Sequence, residues 1–167
     1  EQAEKLNLDF DALSVEEPVK EGDVIDLGEG VEVKIIDTPG HSSCSIAAYL
    51  LPDKAMFPSD GGGIPNEKNE IFPAGNEDYI LYQQTLEKLS QYPVEIMCAA
   101  RCGVYEGEEA RIYFKRSQEA AENFRLKIID HVKKSRDFET GARDLGEAIY
   151  QSNSMKDIPH EVFLGLI

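Results

Sequence analysis

Three polar groups stand at the ends of apolar runs, and their placement is what gives this sequence chemical content. Val31 to Ile36 leads through Asp37-Thr38-Pro39-Gly40 to His41, and Ile46 to Phe57 leads through Pro58-Ser59 to Asp60 and three glycines, Gly61, Gly62 and Gly63. A third run, Val94 to Ala100, ends on Arg101-Cys102-Gly103. An imidazole, a carboxylate and an arginine-cysteine pair on strand-end loops suit a metal site or an active centre, because loops supply the side chains while a sheet fixes their positions. Each group also has an ordinary reading. His41 could be a structural histidine in a Pro-Gly turn, Asp60 could cap the glycine-rich turn, and Cys102 could be a small buried hydrophobe. Cys44 and Cys98 lie in apolar runs and are expected in the core. His131, close to Lys133 and Lys134, is expected in solvent, and His160 follows Pro159 at a helix start.

The elements that must position these groups follow from hydrophobic period. Val24 to Leu27 and the alternating run Val31 to Ile36, separated by Gly28-Glu29-Gly30, predict a hairpin entered through Pro18 and the Gly22-Asp23 turn. Cys44 to Leu51 and Lys54 to Phe57, divided by Pro52-Asp53, predict a second. Gly61 to Gly75 reads as a loop, long and irregular enough to carry a binding function. From Asn76, read as a helix cap, Tyr79, Tyr82, Leu86 and Leu89 recur at three and four residues, giving a helix that ends near Tyr92-Pro93. After the Val94 to Ala100 strand, Glu108 to Lys134 carries one long helical pattern, with the acidic run Glu106 to Glu109 at its amino terminus. Gly141 to Tyr150 and Pro159 to Ile167 give two more helices, and Glu1 to Leu13 a short helix or frayed arm. Strands first and helices last make an α/β layered chain.

Composition bounds the partners. The chain has 167 residues, 41% of them hydrophobic, enough for one sizeable core. Its formal net charge of -15 repels polyanions, so neither nucleic acid nor an anionic membrane is an expected partner. No apolar run reaches the roughly 18 residues that would span a bilayer. Three cysteines in an acidic chain do not form a disulfide framework, which points to a reducing, cytoplasmic setting.

Taken in order, Glu21-Gly22-Asp23, Leu27-Gly28, Thr38-Pro39-Gly40-His41-Ser42, Ser59-Asp60 and Gly103-Val104 after a strand resemble the second half of the metallo-β-lactamase-fold hydrolase superfamily. The likeness covers about residues 18 to 110 and implies an αββα sandwich, two sheets between helices with a one- or two-metal site along one edge. Residues 1–110 would be the carboxyl-terminal half of that domain, and residues 111–167 a helical extension packed on it. The resemblance implies that His41 is a metal ligand and that Asp60 is the catalytic carboxylate bridging two ions, with a metal-bound hydroxide as nucleophile. Zinc is the expected ion, with iron or manganese as others an imidazole suits.

Two departures from the family pattern shape the expectation. The signature His-x-His-x-Asp-His does not occur, and Glu1, not a methionine, stands forty residues ahead of His41, so the first half of the fold and its ligands are expected to be missing. The place of the family's last histidine is taken by Cys102, whose thiolate could keep the ligand role. Arg101 stays protonated and would hold an anionic substrate or repel a second metal. Tyr105, with Tyr113 and Phe114, is expected to line a pocket beside it. The resemblance therefore implies a metal-dependent hydrolase of an ester, thioester, amide or phosphoester bond in a small molecule. This chain alone should be inactive, and its apolar sheet face should pair with the missing half or with a second copy. A metal-poor ligand-binding protein and an iron-dependent redox member are the alternatives on the same scaffold.

Overall fold

The structure is a computed structural model that describes residues 14–101, 103–152 and 160–161. Four strands come first: β1 (Val24–Asp26), β2 (Glu32–Asp37), β3 (Ile46–Leu50) and β4 (Ala55–Phe57). A 3-10 turn (Ser59–Gly62) leads into a small hairpin of β5 (Ile64–Pro65) and β6 (Ile71–Phe72). Helix α1 (Tyr79–Ser90), strands β7 (Ile96–Cys98) and β8 (Val104–Glu106), and helices α2 (Glu108–Arg111), α3 (Tyr113–Lys134) and α4 (Phe138–Ser152) complete the described chain. The main sheet has the order β1-β2-β3-β4-β7-β8. Its neighbours are antiparallel except β4 and β7, which run parallel, so the chain crosses over between them through the small hairpin and α1.

The register explains why one face of the sheet carries the core. Ile36 pairs with Ala47, Tyr49 with Met56, Met56 with Met97, and Met97 with Tyr105, so these side chains share a face by the two-residue period of a strand. Ile36, Ala47, Tyr49, Met56 and Met97 are buried there in one cluster with Tyr82, Leu86 and Leu89 of α1 and Tyr113, Phe114 and Ala121 of α3. Each large aliphatic side chain so buried contributes about 1.5–3 kcal/mol. On the opposite face Ile35 and Ala55 are buried, while Ile25, Ile46, Phe57 and Val104 remain exposed. Among the described residues no helix is long and apolar enough to cross a membrane.

Several elements differ from expectation. The helix cap is Asp78 and not Asn76: the Asp78 carboxylate accepts from the Leu81 N–H at 2.9 Å, which contributes about 1 kcal/mol. The residues ahead of it are committed elsewhere, since the N–H groups of Glu77 and Asp78 both donate to the Gly40 carbonyl at 3.0 Å. The Gly61 to Gly75 segment is structured, because Ile64 and Ile71 pack against the core and pull its two arms together as β5 and β6. The pattern from Glu108 to Lys134 is broken at Ile112 into α2 and α3, which lets Ala110 and the adjacent Tyr113 and Phe114 all reach the interior. Strand β8 arises where only a connection was expected. Cys44 is exposed and not in the core, because β3 starts two residues after it; Cys98 is half-buried. The arm Glu1 to Leu13 and, apart from the helical His160 and Glu161, the last helix fall outside the described residues.

Candidate active site

The ends of β2, β4 and β7 meet at one edge of the sheet. After β2, Thr38 is fully buried and its N–H donates to the Ser45 carbonyl, while the Pro39 carbonyl accepts from the Thr85 hydroxyl of α1 at 2.8 Å. Gly40 follows with φ 119°, and a Cβ there would lie 2.3 Å from the Tyr82 backbone nitrogen, so only glycine allows α1 to come this close. The turn thereby presents His41, whose Nδ1 lies 2.9 Å from the Ala74 carbonyl. A carbonyl only accepts, so Nδ1 carries the proton and in the neutral ring Nε2 keeps its lone pair.

Beyond β4, the fully buried Pro58 and the exposed Ser59, at φ 53°, turn the chain into the 3-10 segment that carries Asp60. Two side chains of α3 hold the glycines behind it: the Ser117 hydroxyl donates to the Gly62 carbonyl at 2.8 Å and the Tyr113 hydroxyl to the Gly63 carbonyl at 3.3 Å. Burial keeps the Tyr113 hydroxyl well above the usual tyrosine value, so it stays protonated and able to donate. The Asp60 side chain is only 15% exposed, and its Oδ2 lies 3.7 Å from His41 Nε2.

Arg101 reaches the same carboxylate from the β7–β8 turn, where its backbone adopts φ 70°. Its Nη2 donates to Asp60 Oδ2 at 2.7 Å and its Nε to Oδ1 at 3.4 Å, an uneven fork that engages both oxygens. The hydrogen bond to Asp60, and then its charge, raise the guanidinium pKa above the ordinary arginine value. The structure therefore brings His41, Asp60 and Arg101 together. Cys102 lies outside the described residues. Tyr105 is half-buried on β8, with its ring centroid 5.2 Å from that of Tyr113. Tyr113 and Phe114 do not line an open pocket: they are 0% and 2% exposed, because they fill the seam between α3 and the sheet.

The sequence reading missed two contributors. The Ala74 carbonyl orients His41, and a backbone group carries no signal in a sequence. Tyr82 touches three glycine turns at once, a role hidden behind its ordinary helical spacing. It contacts Gly40 through its backbone, Gly63 near its hydroxyl and Gly75 along its ring.

As metal donors the described residues offer His41 Nε2 and Asp60, and among them no cluster of three or more His, Cys, Asp or Glu forms. A zinc site takes three or four protein ligands, so these two atoms fit a share of one ion's coordination. Arg101 holds a fixed positive charge at the same carboxylate, with Nη2 2.7 Å from Oδ2.

No family model matches the chain. It is 32% identical over 99 residues to a hydroxyacylglutathione hydrolase of Polaromonas sp. (strain JS666 / ATCC BAA-500), an alignment covering 57% of this chain and 34% of that protein. The chain thus spans about a third of the length of this curated relative. Among solved structures it resembles a metallo-β-lactamase family protein from Thermus thermophilus, at 16% identity and TM-score 0.52 over 70% of this chain and 37% of that one. It also resembles a mutant flavo di-iron protein from Thermotoga maritima, at 19% identity and TM-score 0.50 over 72% and 39%. At these identities the likeness is one of fold.

Proposed function

On a chain that carries part of the metallo-β-lactamase fold, we propose that the intact protein is a metal-dependent hydrolase of a small-molecule ester, thioester, amide or phosphoester, with His41 and Asp60 in its active centre. The observation that carries this reading is the approach of His41 Nε2 to Asp60 Oδ2 at 3.7 Å, with the imidazole fixed from behind by the Ala74 carbonyl. Similarity to a hydroxyacylglutathione hydrolase favours acyl-group hydrolysis among these reactions. Zinc is the proposed ion, and the fold shared with a flavo di-iron protein keeps iron in view beside manganese. A bound divalent ion would supply acidity, bringing the pKa of a water to around 7.

What this chain's residues would do follows from their surroundings. The Nδ1–H bond to Ala74 selects the tautomer and aims Nε2 as the donor atom. Asp60 is held in place by the glycine turn that Ser117 and Tyr113 grip from α3. Cys102 and the part of the fold that this chain does not span would supply the remaining ligands, so residues 1–167 alone should show little activity. In this reading residues 111–167 form a helical extension on the domain, and the exposed apolar face of the sheet meets the rest of the fold or another copy.

The test uses the full-length protein. His41→Ala should lower kcat/KM for a thioester or ester by at least about 100-fold and lower the bound metal measured by elemental analysis. An intact protein that retains no metal, or a His41→Ala variant with unchanged activity, would sink the reading.

A further inference from the structure

We propose that Arg101 stands in for a second metal ion: the protein holds one divalent ion beside His41, and the guanidinium supplies at Asp60 the positive charge that a second ion would bring. The inference rests on the reading of His41 and Asp60 as the active centre. Three observations carry it. Asp60 is only 15% exposed, and a shielded carboxylate needs a positive partner to offset its lost hydration. Arg101 meets that need with a charged donor 2.7 Å from Oδ2 and a longer contact of 3.4 Å to Oδ1, so a second cation at this carboxylate would share its oxygens with a guanidinium already in place. The backbone at Arg101 is held at φ 70°, a conformation that costs a non-glycine residue free energy and is retained where the surrounding structure uses it.

Charge counting points the same way. With a neutral imidazole, Asp60 and Arg101 together are electroneutral before any metal enters. One divalent ion at His41 leaves this cluster at +2, whereas a second would raise it to +4 with a fixed cation 2.7 Å from the shared oxygen. Repulsion between cations a few ångströms apart opposes that second ion, even where one of them is partly exposed to water. The Arg101 side chain is 60% exposed, so the fork is not locked by burial, and its removal should leave the fold intact. A structural surface ion pair would make no difference to metal stoichiometry, and that separates the two roles.

Zinc titration of full-length apoprotein, followed by calorimetry and elemental analysis, tests the inference with Arg101→Ala and the size-conserving Arg101→Gln, both checked for native circular dichroism. The expected result is one zinc per chain in the parent and a second zinc in both variants, or at least a tenfold tighter second site. Two equivalents in the parent, or one in the parent and in both variants, would overturn the role of Arg101 while leaving the hydrolase reading standing. No zinc in any of the proteins would overturn both. If either variant misfolds, the count in the parent and in the other variant decides.

Discussion

Gly40→Ala is expected to destabilise the protein by about 4 kcal/mol and to disrupt the turn that presents His41. Two effects add. A residue with a Cβ at φ 119° bears about 1–3 kcal/mol of backbone strain. The new methyl would also lie 2.3 Å from the nitrogen and 2.5 Å from the Cα of Tyr82, and these are backbone atoms of a helix that cannot swing aside as a side chain would. Overpacking of that kind adds about 1–3 kcal/mol. Urea unfolding would show this as a midpoint lowered by more than about 1 M at unchanged slope. Gly30→Ala is the control: it too has positive φ, at 81°, but nothing lies within 4 Å of its Cβ position, so its loss should be near 1 kcal/mol. Equal losses in the two variants would show that the close approach of α1 to the His41 turn is absent.

Tyr82→Ala should cost about 3–5 kcal/mol and, unlike other core truncations, should also weaken the site. The ring is fully buried, and its hydroxyl, pushed up to about 12 by burial, is neutral at ordinary pH. Beside it lie the turn carrying His41, the turn carrying Asp60 and the segment whose Ala74 carbonyl orients the imidazole. Removing the ring leaves a void shared by all three. Leu89→Ala, equally buried on the same helix but seven residues further on, should cost similar stability without altering metal affinity. If both variants of the full-length protein weaken metal binding to the same degree, Tyr82 is a core residue and nothing more.

How much of this was legible in the sequence depends on the range of the interaction that decides each feature. Strands β1 to β4 follow from local alternation between glycine and proline turns, and His41, Asp60 and Arg101 stand out because each follows a strand that such a turn must end. Strand β8 was not legible: Val104, Tyr105 and Glu106 are too few to show a period, and only pairing with β7 makes them a strand. Asn76 and Asp78 are comparable cap formers, and the choice falls to the Gly40 carbonyl, which ties down the chain just ahead of the helix. Tyr113 and Phe114 look like pocket aromatics by proximity to Arg101, yet the break at Ile112 turns them inward. The fork between Arg101 and Asp60 joins residues 41 apart, and it needs the β4–β7 pairing before it can form.

That parallel seam also bears on the order of events in folding. The hairpins β1–β2, β2–β3 and β3–β4 close over short loops, whereas β4 meets β7 only after the intervening hairpin and α1 have been accommodated. Contacts of long sequence separation tend to be late, since ordering the connecting chain precedes the gain from pairing. Met97→Ala, on the seam, should therefore act mainly by accelerating unfolding, and a chevron in which it chiefly slows refolding would count against this order. Because Asp60 and Arg101 lie on opposite sides of the seam, the site would be the last part of the molecule to form and the first to come apart, before the hairpins that flank it are lost.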